Sequence, residues 1–220
     1  MNKLFKLLIW PIALAPFAYL AFIWTDLPNQ VAIHFDLSGK PDKFGSKNQL
    51  IYALLLITSI SLLIFYLLPL AHKIDPKKTA ADNKSRLSTL GFFIAVLMSF
   101  ISCVIVNSAL SEGIKLNIQL VFGAMGLFWC ILGNYLYNIK PNYFAGFRLP
   151  WTLSNEENWK KTHWLAAKLL FAGGLLIFIA ALFLKKEILI VSVITIACIS
   201  TIIPIIYSYR LFKNQKSLNR

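Results

Sequence analysis

Residues 116–137 read LNIQLVFGAMGLFWCILGNYLY, a run without one charged side chain. A hydrocarbon core of about 30 Å takes roughly 20 helical residues to cross, so this run is long enough to span one. Within it Gln119, Gly123, Gly126, Cys130, Gly133 and Tyr137 recur at steps of four and three, which gathers small and polar positions on one helical face, with Asn134 beside it. Small residues let helix backbones approach closely in a membrane, so this face is expected to pack against other helices.

Five further runs meet the same length test: Leu4 to Trp24, Leu50 to Leu70, Leu87 to Leu110, Leu165 to Leu184 and Ile188 to Tyr209. With 58% hydrophobic residues, 14% charged residues and a mean hydropathy of +0.66, the composition excludes a soluble domain. A lipid-exposed backbone must satisfy its own hydrogen bonds, and nothing here alternates like a barrel strand. The expected fold class is therefore an all-α integral membrane protein: six transmembrane helices, a small extracytoplasmic loop cap and a structured cytoplasmic interfacial loop. Lys3 and Lys6 ahead of an apolar core, with Ala13-Leu14-Ala15 behind, mimic a signal peptide, but apolar residues continue to Trp24 and predict an uncleaved helix that Pro11 and Pro16 kink. Cys103, Cys130 and Cys198 each fall within a predicted helix without Cys-x-x-Cys spacing, so neither a disulfide nor a metal site is expected.

Orientation follows from the cations. With the N-terminus in the cytoplasm, sixteen Lys and Arg fall on that side and six outside; after the acidic residues are subtracted, the inner face carries +12 and the outer face +1. The positive-inside rule then predicts a multi-pass protein of the cytoplasmic membrane with both termini inside. The net charge of +13 is this bias plus attraction to anionic membrane lipid, and direct nucleic-acid binding is not expected.

Three segments are expected: 1–70, the first two spans with an outer loop at 25–49; 71–137, a basic linker and spans three and four; and 138–220, an inner loop at 138–163 and the last two spans. In the outer loop Val31, Ile33 and Phe35 alternate with Ala32, His34 and Asp36, which predicts a short half-buried strand followed by turns at Ser38-Gly39, Pro41-Asp42 and Gly45-Ser46. The linker from Ala71 to Arg86 carries no motif and is read as a solvated, lipid-facing segment. In the inner loop Pro141 is expected to end the fourth helix, and Ser154 with Glu157 to form the capping box of a helix that starts about ten residues before its apolar core. Glu156 with Lys160 and Glu157 with Lys161 are spaced as i, i+4 pairs. Trp151, Trp159 and Trp164 are placed at headgroup depth. Lys40-Pro41-Asp42-Lys43-Phe44-Gly45 echoes Lys140-Pro141-Asn142-Tyr143-Phe144-Ala145-Gly146, a pattern that an inverted repeat would produce.

The inner loop, KPNYFAGFRLPWTLSNEENWKKTHWLAAKLL from Lys140 to Leu170, resembles the signature of the SdpI family of bacterial membrane proteins, with Asn142, Gly146, Arg148, Pro150, Trp151, Leu153, Ser154, Trp159, Lys161, Thr162 and His163 in their places. The outer loop, LPNQVAIHFDLSGKPDKFGSK from Leu27, is similar to a short domain of unknown function that often precedes it, through Leu27, Pro28, His34, Phe35, Gly39, Pro41, Asp42, Gly45, Ser46 and Lys47. Ala32 stands where a Pro is common, and Leu149 where a Thr is usual. The resemblance implies an immunity protein that protects its cell against a secreted antimicrobial peptide toxin met on the outer face. In some relatives a transcriptional repressor is also recruited at the inner face.

Beside the resemblance, the residues offer little for catalysis: the topology separates His34, His72 and His163, and the sequence holds no His-Glu-x-x-His, nucleophile elbow or P-loop. No enzyme activity and no cofactor are expected. His34 with Asp36 reads either as a pH-sensitive or ligand-binding pair, or as local support for the cap. Arg148 reads as a clasp on a helix C-terminus or a lipid phosphate, or as a partner contact. At mid-membrane depth the spans offer only Asn107, Gln119, Asn134 and scattered Ser and Thr, which disfavours an ion-coupled carrier. A small transporter or flippase-like protein, and a housekeeping member of the same family without a cognate toxin, stay open as alternatives.

Overall fold

The computed structural model describes residues 3–110 and 116–218; Glu112, Lys115 and Arg220, which enter the charge count, lie outside them. The elements are α1 (Lys3–Ile23), β1 (Gln30–Phe35), β2 (Pro41–Ser46), α2 (Lys47–Leu67), α3 (Lys84–Ser108), α4 (Ile118–Tyr137), α5 (Pro150–Ser154), α6 (Glu156–Phe183) and α7 (Lys186–Leu218), with 3-10 turns at Leu68–Lys73 and Lys78–Asn83. Six helices among the described residues are long and apolar enough to cross a membrane, and the chain is an all-α multi-pass membrane protein. α1 continues unbroken through Pro11 and Pro16.

The glycine face of α4 sets the tightest helix pair. A Cβ added at Gly126 would lie 2.6 Å from the Gly174 carbonyl oxygen and 2.7 Å from the Phe178 nitrogen, and one at Gly133 would lie 2.7 Å from the Ala167 oxygen. The backbones of α4 and α6 touch there because neither residue carries a side chain, as the spacing of small residues predicts. Around α1, α2 and α3 a separate core forms at one end from Leu20, Ile23, Val31, Leu50, Leu54 and Val106. At the opposite end Leu87, Leu90, Leu136, Ile139, Trp159 and Ala167 pack together.

The outer loop departs from expectation. Its strand pairs antiparallel with a second one, β2, over residues read as turns. Register shifts flank His34, and Ile33 has no opposite residue, so Val31 and Ala32 are buried in succession and the predicted alternation fails. The hairpin turn meets the bundle through the Gly39 carbonyl, which accepts from Leu116 N–H at 2.9 Å. Pro41–Ser46 thus form a strand, whereas 140–146 form an irregular loop, so the echo between the two Lys-Pro segments has no counterpart in local structure.

Candidate functional site

At the end of the bundle away from the hairpin, the segment 138–155 folds against the segment 71–86. α4 stops at Tyr137, ahead of Pro141, so the proline does not itself terminate it. The fully buried Asn83 then holds the chain as it turns: its amide group donates to the Lys140 carbonyl at 3.0 Å, and its oxygen accepts from Lys140 N–H at 3.0 Å. Asn142, also buried, donates to the carbonyls of Lys140 and Ala145 and accepts from the N–H groups of Phe144 and Ala145, using both ends of its amide to shape the loop. Thr79 Oγ1 donates to Pro141 O at 2.8 Å, Tyr143 N–H donates to Asp75 at 2.7 Å, and Lys77 Nζ reaches Leu153 O at 2.7 Å. The linker is therefore half of the site rather than the solvated segment expected of it.

The centre of the loop rests on His163. Gly146 has φ +102, and a Cβ there would collide with His163 Nε2. Phe147 N–H donates to that same nitrogen at 2.9 Å, while Nδ1 lies 2.8 Å from the Trp159 carbonyl one helical turn back. Nδ1 must carry the proton and Nε2 the lone pair, so the ring is neutral and both its nitrogens are used. Trp159 stacks on it with centroids 4.0 Å apart and donates its indole N–H to Ile139 O at 2.9 Å. At 1% exposure Trp159 is a core residue rather than an exposed interfacial anchor: its ring packs inside the bundle instead of facing lipid.

Leu149 precedes α5, with Pro150 in its first turn, where a missing N–H costs nothing. Thr152 Oγ1 accepts from Leu149 N–H at 3.0 Å and donates to Phe147 O at 2.6 Å. The cap of α6 is not Ser154. Asn155 Oδ1 accepts from Asn158 N–H at 2.8 Å, and Ser154 Oγ turns back to Trp151 O at 3.3 Å. Ser154 belongs to the last turn of α5, so its hydroxyl serves that helix and the adjacent Asn takes the cap. Glu157 and Lys161 pair at 2.6 Å as an i, i+4 ion pair on α6. Glu156 and Lys160 form no ion pair among the described residues. Buried Thr162 donates to Asn158, whose amide donates to Ser208 O of α7 at 2.9 Å, and Trp151 donates its indole N–H to Ser208 Oγ at 3.0 Å. Arg148 is exposed and donates to the Tyr143 carbonyl at 2.8 Å, a loop oxygen and not a helix C-terminus.

Between these elements lies a polar cleft of about 410 Å³. Trp159 and His163 form part of its wall, and Arg86, Lys140 and Lys160 bring three cations to it against Asp82 and Glu156. Such a cleft can bind polar or anionic groups. Its histidine has no free nitrogen to act as a base.

The outer set forms a second cluster at the other end. His34 Nδ1 meets Asp42 Oδ1 at 2.6 Å across the hairpin, both exposed, and not Asp36 as expected, because the register shift between His34 and Phe35 changes which residue lies alongside. Asp36 instead ties the turn, accepting from Ser38 N–H, Ser38 Oγ and Lys40 N–H at 2.7–2.8 Å. The Ser38 hydroxyl bond, followed by the Lys40 N–H, holds its carboxyl below the ordinary range. Gly39 turns at φ +75, Gly45 opposes Val31, and Lys47 places its ammonium 4.7 Å from the Trp24 ring. Pro28 and Phe35 are half-buried, and Pro41 opens β2. The two signature sets are thus each internally connected and do not touch each other.

Sequence reasoning missed Asp75, Lys77, Thr79, Asn83, Asn155, Asn158 and Ser208. Only Asn155 had a readable signal, a cap residue one position after the one chosen.

The comparisons with known proteins follow the same two clusters. Residues 138–208 match the SdpI/YfhL protein family, and residues 11–59 match the domain of unknown function DUF1648. Immunity protein SdpI of Bacillus subtilis is 27% identical over 188 residues, covering 85% of this chain and 86% of that protein. No solved structure matches the chain. With both segments matched in order and one relative aligned across most of its length, the chain is similar to proteins of the SdpI family over most of its own length.

Proposed function

We propose that the chain is an immunity protein of the SdpI type, protecting the cell that makes it, or its neighbours, against a secreted antimicrobial peptide. The observation that carries this reading is the alignment with Immunity protein SdpI, which covers 85% of this chain and 86% of that protein. The hairpin offers an exposed, rigid surface to a peptide, and the basic cleft and Arg148 offer one to a cytosolic protein such as a repressor. On this reading the chain acts by binding. The 16 to 6 split of cations supports an orientation with both termini, the linker and the inner loop in the cytoplasm. The test is to express the chain in a peptide-sensitive strain and measure survival against candidate secreted peptides. Survival no better than with an empty vector at equal membrane accumulation refutes the reading. Substrate flux into proteoliposomes would then favour the transporter alternative.

A further inference from the structure

α4 spends its glycine face on α6, and a groove is left where it faces α3. Its outer part, about 390 Å³, is apolar, with Phe93, Phe100, Ala124 and Leu127 among its walls. It continues past Phe93 and Ile131 into a hollow of about 460 Å³ that adds Thr89, Asn134, Tyr135 and Arg86. Arg86 in turn lines the polar cleft with Lys140 and Lys160. The polarity therefore runs one way, from hydrocarbon-like to cationic, along a single seam. From Phe100 to Arg86 the seam measures about 21 Å at the helical rise of α3. One leaflet of hydrocarbon is about 15 Å deep.

Two groups on this seam lack partners. Tyr135 is buried on the wall of the hollow and its hydroxyl makes no hydrogen bond. Arg86 forms no hydrogen bond or ion pair among the described residues, although Asp82 lies one turn earlier and lines the same cleft. Three cations, Arg86, Lys140 and Lys160, face two acids, Asp82 and Glu156, across the cleft.

The geometry points to a binding site for one anionic phospholipid from the leaflet on the inner-loop side, with its phosphate at Arg86 and an acyl chain along the α3–α4 groove. A guanidinium is the side chain best shaped to hold a phosphate through two parallel bonds. The site is independent of the immunity reading and stands whether or not the chain protects against a peptide.

Native mass spectrometry of the full chain in neutral detergent, with equimolar phosphatidylglycerol and phosphatidylcholine added, tests this. The expected result is one retained lipid, with phosphatidylglycerol preferred by about ten-fold or more. Arg86→Gln should bring the two lipids to parity, whereas Arg148→Gln, an exposed cation outside the seam, should leave the preference intact. Ala124→Trp, which fills the apolar section, should reduce retention of both lipids. Glycerol 3-phosphate should not displace the lipid. Equal retention of the two lipids by the unmodified chain overturns the site, as does an unchanged preference in Arg86→Gln, displacement by glycerol 3-phosphate, or a peptide or second copy held in place of lipid. Where Arg86→Gln does not yield folded protein, Ala124→Trp decides, and undiminished retention refutes the site.

Discussion

Gly146→Ala should be among the most damaging single-methyl additions outside the membrane-spanning core. At φ +102 a side chain is strained wherever it points, at a cost of about 1–3 kcal/mol. The added Cβ also lands on His163 Nε2, which must move and release Phe147 N–H; an unpaired buried donor costs about 1–3 kcal/mol. Together the loss is about 2–5 kcal/mol, since the two effects share one loop and add incompletely. The assay is thermal unfolding of detergent-solubilised protein, followed by intrinsic tryptophan fluorescence, run as a double-mutant cycle with His163→Ala. With the imidazole gone the methyl has room, so the increment from Gly146→Ala should shrink to the backbone strain alone. Full additivity between the two substitutions, or a Gly146→Ala midpoint equal to that of Lys160→Ala on the exposed surface, refutes the view that the loop is seated on this ring.

Three further outcomes follow from the geometry. Asn155→Ala should cost about 1 kcal/mol while Ser154→Ala costs less than about half of that, because the cap bond comes from Asn155; the reverse ranking in thermal midpoints restores Ser154 as the cap. Gly126→Ala and Gly133→Ala should lower stability by about 1–3 kcal/mol by forcing α4 from α6, whereas Gly123→Ala, whose Cβ meets only Ala181 at 3.6 Å and Phe178 at 3.9 Å, should be neutral or stabilising. Asp36 should titrate below an ordinary aspartate. Its carboxyl is held low in the folded hairpin, so its contribution to stability is present above the unfolded value and is lost as pH falls through the folded one. Protection against hydrogen exchange at Ser38 and Lys40 should fall only in that acidic window, and Asp36→Asn should be weakly protected at neutral pH as well.

The spans were legible because crossing hydrocarbon demands about 20 apolar residues in a row, a constraint written in composition alone. The α4 face was legible for a similar reason: Gly126 and Gly133 stand in helical phase, and only close backbone contact repays that many glycines. What escaped was structure fixed by long-range bonds. Asp75, Thr79 and Asn83 bind main-chain groups of residues 140–143, and a side chain that meets a distant backbone leaves no period in its own neighbourhood. β2 escaped because Pro41 and Gly45 are poor strand residues that a two-stranded edge tolerates. Trp159 was misplaced because an indole at a predicted boundary reads equally as an interfacial anchor or a core ring.

The family signature divides, on this structure, into framework and rim. Asn142, Gly146, Trp159, Thr162 and His163 have their polar groups or their space committed to internal contacts, so substituting them unfolds the loop whatever the loop binds. Arg148 uses one bond from an exposed guanidinium with five donors, and Arg86, Lys140 and Lys160 stand around the cleft without an ion pair among the described residues. A loss of function at a framework position therefore carries no information about a ligand unless the protein still folds. The informative substitutions are at the rim, where neutralising one cation leaves every buried hydrogen bond in place. A rim variant that accumulates and unfolds like the parent yet fails in the cell identifies a contact.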